Sequence, residues 1–377
     1  MEQIKRQQHE ITQRRALLDE NGHLTEPGYT KGLLMDYDRS KIKGGAMRIK
    51  EWDYYLVTTR DFAVALTIDD NSYMGLDSIS LLDFGKRWEH TNSPMAFFTG
   101  GKKNFPAGSD KGDVKTAGKG YSISFEHRGD HRLLKFHMDD FCGGNPIDGQ
   151  LRLENPGQES MVIVTPFAEK KTAFYYNQKI NCLKASGKVT FAGQTYDFDR
   201  PDAYGVLDWG RGVWTYNNTW YWGSASGNVE MPADCAGTAG SSGEADSDKT
   251  TDGRRSTVRV PFGWNIGYGF GDTSAATENM LFFGGKAHKL SEVTFNIPQK
   301  DGKDDFLSPW TFTSDDGRFE MDFKPILDRA ACTDFKILCS DQHQVFGLYS
   351  GRAVLDDGTG VEVKDFLGFA EKVHNKW

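Results

Sequence analysis

Residues able to do chemistry concentrate in one stretch, YGVLDWGRGVWTYNNTWYWGS, from Tyr204 to Ser224. It carries Trp209, Trp214, Trp220 and Trp222, four of the nine tryptophans, with Asp208 and Arg211 among them. If Asp208 and Arg211 meet, the guanidinium holds the carboxylate ionised and the pair is structural. If the indoles desolvate Asp208 instead, its pKa rises and it becomes a proton donor near neutral pH. Indole faces also attract a developing carbocation, as hydration or cyclisation of an alkene requires. The alternative is architectural: Trp209 and Trp214 fill a core while the ion pair pins a loop.

RIKEWDYY poses the same question earlier in the chain. Glu51 and Asp53 alternate with Trp52 and Tyr54, so one strand face is acidic and the other aromatic. Two carboxylates on one face can share a proton, which raises one pKa. With Arg48 and Lys50 adjacent, a surface charge ladder fits equally well. The catalytic candidates are therefore Asp208, Arg211, Glu51 and Asp53. The candidate substrate wall is Trp209, Trp214, Trp220, Trp222, Trp52, Tyr54 and Trp264.

Other motifs carry less. Gly267, Gly269 and Gly271 lack the helix and Lys-Ser/Thr of a phosphate loop and read as strand bends. His127 and His137 flank an HRGDH turn and could pair across strands, but no metal or other cofactor is expected. There is no Ser-His-Asp motif, HExxH or nucleophile elbow. The five cysteines have no CxxC spacing and read as free thiols in a reducing, cytoplasmic compartment.

The elements that must position these groups are strands. Phe62, Val64, Leu66 and Ile68 alternate with Ala63, Ala65 and Thr67; Val293, Phe295 and Ile297 alternate with Glu292, Thr294 and Asn296; Phe319, Met321 and Phe323 alternate with Glu320 and Asp322. Asp356-Asp357-Gly358 marks a turn between two such runs. The expectation is an antiparallel all-β chain with one face of each strand on a core and the other wet. Residues 1–35 read as a polar arm with a short helix anchored by Ile4, Ile11, Leu17 and Leu18. Gly101–Gly120 and Gly227–Ser256 read as loops, the second a mobile excursion between strands. With 377 residues, two domains are expected, 36–185 and 186–377, the break near Leu183–Gly187.

A net charge of −8 gives no basic field for nucleic acid, and no apolar run reaches membrane-spanning length, so neither nucleic acid nor stable membrane insertion is expected. Aromatics at 13% suit strands and ligand walls. The partner expected is a small, largely apolar molecule.

The run KASGKVTFAGQTYDFDRPDAYGVLDWGRGVWTYNNTWYWGSASG resembles the junction of the carotenoid 1,2-hydratase and AttH-like group, which includes the tocopherol cyclases. That resemblance implies two consecutive lipocalin-like antiparallel β-barrels and acid-catalysed hydration, cyclisation or isomerisation. The group's Asp-His-x-Trp-Gly is matched at Trp209 and Gly210, but Leu207 stands at the histidine position and Asp208 in the variable slot. The closing LGFAEKV, with Glu371, resembles the terminal strand whose acid closes the barrel. More closely, EITQRRALLDENGHLTEPGY, RIKEWDYY, YGVLDWGRGVW and DDGTGVEVKDFLGFAE resemble the family known as domain of unknown function twenty-eight-oh-four, along almost the whole chain. A carrier of an apolar ligand and a carbohydrate-active protein, with carboxylates beside tryptophans, remain alternative readings.

Overall fold

The computed structural model describes residues 7–233, 256–334 and 339–376. Almost every element is a strand. The described helical pieces are two short 3-10 turns, Arg39–Lys41 and Ala46–Arg48.

Two antiparallel sheets curl into barrels. The first runs in the order Trp88–Asn92, Met74–Asp83, Phe62–Asp70, Lys50–Thr58, Tyr204–Val213, Phe174–Phe191, Asn145–Glu154, His131–Cys142, Tyr121–His127, Val114–Gly118. It closes where Asn92 Nδ2 donates to the carbonyls of Asp140 at 3.0 Å and Phe141 at 3.3 Å. Thr116 Oγ1 and Tyr121 OH tie the other end to Asp77 Oδ2 at 2.8 and 3.0 Å. The second sheet runs Lys286–Lys289, Met280–Phe283, Thr257–Tyr268, Asn217–Pro232, Gly360–Lys376, Cys339–Val354, Phe319–Asp334, Trp310–Ser314, Val293–Asn296. Phe295 on its last strand meets Tyr268 at 5.5 Å and Tyr221 at 5.9 Å, which folds that strand back on the first half of the sheet.

Both interiors are filled by the alternating apolar residues. Val64, Leu66, Ile68, Leu134, Phe136 and Trp209 pack inside the first barrel. Trp264, Trp310, Phe312, Phe323 and Tyr349 pack inside the second. Each fully buried aliphatic side chain contributes about 1.5–3 kcal/mol, so these cores carry the fold. The alternation read from Val293–Asn296 and Phe319–Phe323 holds, with Thr294, Asn296, Glu320 and Asp322 exposed.

The second face of several strands is dry, contrary to expectation. Ala63, Ala65, Leu56 and Val206 join Trp222, Phe346 and Phe369 in an apolar layer between the barrels. A second such layer brings Tyr175, Trp214 and Phe270 together with Met161 and Met280. Small residues at positions 63 and 65 let the second barrel approach closely.

Three other expectations change. The arm does not form a helix: Ile11 N donates to Tyr29 O, Arg15 N to Leu34 O and Leu17 N to Asp36 O. Its backbone is satisfied by neighbouring strands, and Ile11 and Leu17 are buried in the first core; Ile4 lies outside the described residues. The segment Leu183–Gly187 lies inside the long Phe174–Phe191 strand, and the chain changes sheet between Val213 and Asn217. A register shift at Ile180/Leu183, with Cys182 at φ 59°, bends that strand so that it serves two stretches of one barrel. Finally, His127 lies opposite Arg132 and His137 opposite Ser122, so the two histidines do not pair. Of the Gly227–Ser256 loop, Gly227–Pro232 continues a strand paired with Thr257–Phe262, while 234–255 lie outside the described residues. The Gly101–Gly120 loop folds across the first barrel's mouth and contributes the strand Val114–Gly118.

Candidate active site between the barrels

Eight consecutive residues, Phe174–Asn181, are buried in one strand. Such a run has no wet face, because it divides the first barrel's interior from the second barrel. Phe174, Tyr176 and Ile180 point into the first core. By alternation, Tyr175, Asn177 and Lys179 face the other barrel. Lys179 lies opposite Asp208, and Asp208 opposite Tyr54, so the three form one cross-strand row.

A matching row crosses the second barrel. Arg329 lies opposite Gln344, Gln344 opposite Glu371, Glu371 opposite Trp222, and Trp222 opposite Gly267. Directly opposed residues of an antiparallel pair project to the same face. The two rows therefore face each other across the seam between the barrels.

Contacts across it are specific. Lys179 Nζ lies 2.8 Å from Asp208 Oδ2 and 3.7 Å from the centre of the Trp222 ring. Asn177 Nδ2 donates to Asp208 Oδ1 at 2.6 Å. Trp220 Nε1 donates to Glu371 Oε1 at 3.2 Å, and Gln344 Nε2 to Glu371 Oε2 at 3.0 Å. The Tyr54 hydroxyl lies 3.4 Å from the Gln344 amide. Trp222 Nε1 donates to Asn265 Oδ1 at 2.7 Å, and Asn265 Nδ2 donates to the Glu278 carbonyl at 2.8 Å.

Glycines make the room. A Cβ on Gly210 would sit 1.9 Å from the Trp52 ring, so only glycine lets that indole lie flat across the strand. A Cβ on Gly267 would come within 2.8 Å of Glu278 Oε1, which brings the Glu278 carboxyl against the Trp222 row.

The electrostatics follow from crowding three carboxyls around one ammonium. Burial pushes Glu371 up to about 7, with Lys179 and Arg329 opposing and Asp208 reinforcing the shift. Burial also raises Glu278, again against Lys179. Asp208, Glu278 and Glu371 retain 8–9% exposure, whereas Asn177 behind them has none. The carboxyls thus lie at the edge of the packed seam rather than deep within it. Trp220 and Trp52 are half-buried at its edge, and Trp52 stacks on Tyr175 at 6.2 Å and meets Trp214 at 5.3 Å. A dry carboxylic acid beside indole faces can deliver a proton and shelter the cation that results.

The expected residues divide between two places. Asp208, Trp52, Tyr54, Trp214, Trp220 and Trp222 are brought together on the inter-barrel side. Trp209 and Trp264 are instead wholly buried in the two barrel cores. The Asp208–Arg211 contact does not form, since positions three apart on a strand project to opposite faces. Arg211 points inward and pairs with Asp53 at 3.1 Å, its guanidinium 4.3 Å from the Trp209 ring. Pro106 of the covering loop accepts from Arg211 Nη2 at 3.1 Å. Glu51 does share the inward face with Asp53, but it accepts from Tyr37 at 2.9 Å and pairs with Arg39. Glu51 lines an open cavity of about 320 Å³ at the barrel mouth, with Tyr37, Gly101 and Phe105.

Lys179, Gln344 and Asn177 were not among the expected residues, and Glu371 entered only through resemblance. Asn177-Gln178-Lys179 interrupting an otherwise apolar aromatic strand is the sequence signal that points to Asn177 and Lys179. Among the described residues no three of His, Cys, Asp and Glu are grouped to hold a metal ion. No described helix is long and apolar enough to cross a membrane.

Two solved structures are similar along most of the chain. An AttH-like protein of Nitrosomonas europaea shares 12% identity, over 86% of this chain and 92% of its own, with a TM-score of 0.48. Kievitone hydratase of Nectria haematococca shares 10% identity, over 87% of this chain and 88% of its own, with a TM-score of 0.44. Among curated proteins, none matches. A family model described as "Domain of unknown function (DUF2804)" matches residues 8–377, and the chain belongs to that family.

Proposed function

We propose that this protein is an acid catalyst that hydrates, cyclises or isomerises an alkene in a small, largely apolar, terpenoid-like molecule held between the barrels. The observation that carries this reading is Glu371: a buried carboxyl, pushed up to about 7, hydrogen-bonded to Trp220 and Gln344 and opposite Trp222 across the strand pair. At neutral pH much of it is the neutral acid, the form able to donate a proton.

In hydration, the alkene π electrons take the proton from a Glu371 carboxyl oxygen, which leaves a carboxylate and a carbocation. Trp222, one face of which holds the Lys179 ammonium, and Trp220, whose Nε1 edge meets Glu371, offer their remaining π surface to that cation. Water oxygen then bonds to the cationic carbon, and the proton it sheds returns to the Glu371 carboxylate. Atoms and charge balance, and the acid is regenerated. Loss of a proton from the carbon skeleton to the Glu371 carboxylate gives isomerisation by the same first step; attack by a second double bond, followed by the same proton loss from the new cation, gives cyclisation.

Asp208 is not the donor in this reading. Its oxygens are taken up by the ion pair with Lys179 and the bond from Asn177. Burial is what chiefly keeps Glu371 protonated, and Asp208 adds to it.

The test is incubation with a panel of terpenoid alkenes in ¹⁸O-labelled water. The wild type should yield an alcohol carrying one labelled oxygen, or a cyclised or rearranged isomer. Glu371→Gln, which preserves shape, should bind the same alkene and yield none. Tight binding without any product from the wild type would make the protein a carrier and overturn the reading.

A further inference from the structure

Arg329 stands at the far end of the row that carries Glu371, opposite Gln344, which itself lies opposite Glu371. It is half-buried and shares its strand face with Leu327 and, across the pair, with Phe346 of the apolar layer between the barrels. A guanidinium has five N–H donors. Among the described residues Arg329 uses one, from Nη1 to Ser80 Oγ at 2.9 Å on the first barrel, and forms no ion pair. Ser80 also accepts from Thr91 Oγ1 at 2.8 Å, so the serine hydroxyl is held in place. A cation drawn out of water among aliphatic side chains is costly unless an anion meets it. A single neutral hydrogen bond leaves that cost largely unmet. Through Gln344 it shares one sheet face with Glu371.

We infer that the molecule bound between the barrels is amphipathic, with an anionic head, carboxylate or phosphate, held by Arg329. Strand spacing puts that head about 10 Å from Glu371, two strands away, which sets the span between head and reacting alkene. The planar fork suits two parallel bonds to either oxyanion. This rests on the seam between the barrels being the substrate site proposed above.

The probes are farnesoic acid, farnesyl phosphate, methyl farnesoate and farnesol, titrated against the full chain by quenching of tryptophan fluorescence. The acid or the phosphate should bind at least about tenfold tighter than either neutral compound, as expected for charge-assisted bonds; whichever is tighter identifies the head. Arg329→Gln should abolish that preference while keeping affinity for the ester, and Arg329→Lys should retain part of it. Ser80→Ala removes the contact to the first barrel and keeps the charge, so the preference should survive it. If Arg329 only fastens the barrels together, Ser80→Ala and Arg329→Gln lower the unfolding midpoint alike and head preference is unaffected, which overturns the inference. Equal affinity for acid and ester, or no binding of any probe, overturns it as well. Glu371→Gln separates the two readings: head preference persists there, whether or not the wild type turns any probe over.

Discussion

Replacing Glu371 by Gln tests the central electrostatic claim without any substrate. In the native protein burial raises this carboxyl from 4.5 to about 7. At 1.36 kcal/mol per pKa unit, that displacement corresponds to about 3 kcal/mol. The native state holds the proton more tightly than the unfolded chain, so the stability linked to Glu371 is fully present below pH 4.5. It is lost progressively as pH rises and is gone once pH has passed through about 7. Gln cannot ionise and keeps the shape and polarity of the protonated acid. Urea unfolding of both proteins across a pH series from about 4 to about 8 should therefore give nearly equal stabilities at the acid end. The variant should be more stable by about 3 kcal/mol at the alkaline end. Working with the difference cancels titrations common to both chains. A difference that does not change with pH would mean that Glu371 ionises as a solvated carboxylate does, and the proton donor would be lost from the mechanism.

Three further outcomes follow from the same geometry. Lys179→Met leaves Asp208 buried without its ion pair and should destabilise the fold by about 3–5 kcal/mol, with Lys179→Met/Asp208→Asn recovering much of that by thermal unfolding. Gly210→Ala drives a methyl into the Trp52 ring and should cost about 1–3 kcal/mol, with a shifted tryptophan emission maximum reporting the displaced indole. Trp264→Ala opens a cavity in the second barrel's core and should cost about 3–5 kcal/mol in urea unfolding, while the affinity of the folded protein for an apolar alkene stays unchanged.

Much of the fold was legible because a half-buried strand advertises itself by a period of two. Val293–Asn296 and Phe319–Phe323 show their buried and exposed faces residue by residue, and the Asp356-Asp357-Gly358 turn was marked by its glycine, at φ 89°. Parity alone also separates Asp208 from Arg211 and joins Glu51 with Asp53, since neither statement needs a partner strand. The indole-rich junction was visible as composition. Which indoles were core and which were wall was not, because Trp209 and Trp222 have the same chemistry and differ only in what their strand faces.

The amino-acid order by itself determined the strands, their in-and-out alternation and the gathering of tryptophans where one sheet gives way to the next. These are local properties, set by side-chain periodicity within a few residues. Only the tertiary structure decided that Lys179, Asp208, Glu278 and Glu371 meet outside both barrels, from segments up to 192 residues apart in the chain (371 − 179). The physical reason is that a pKa belongs to an environment. Glu371 in LGFAEKV is an ordinary glutamate until a second barrel closes over it, removes its water and sets Asp208 nearby.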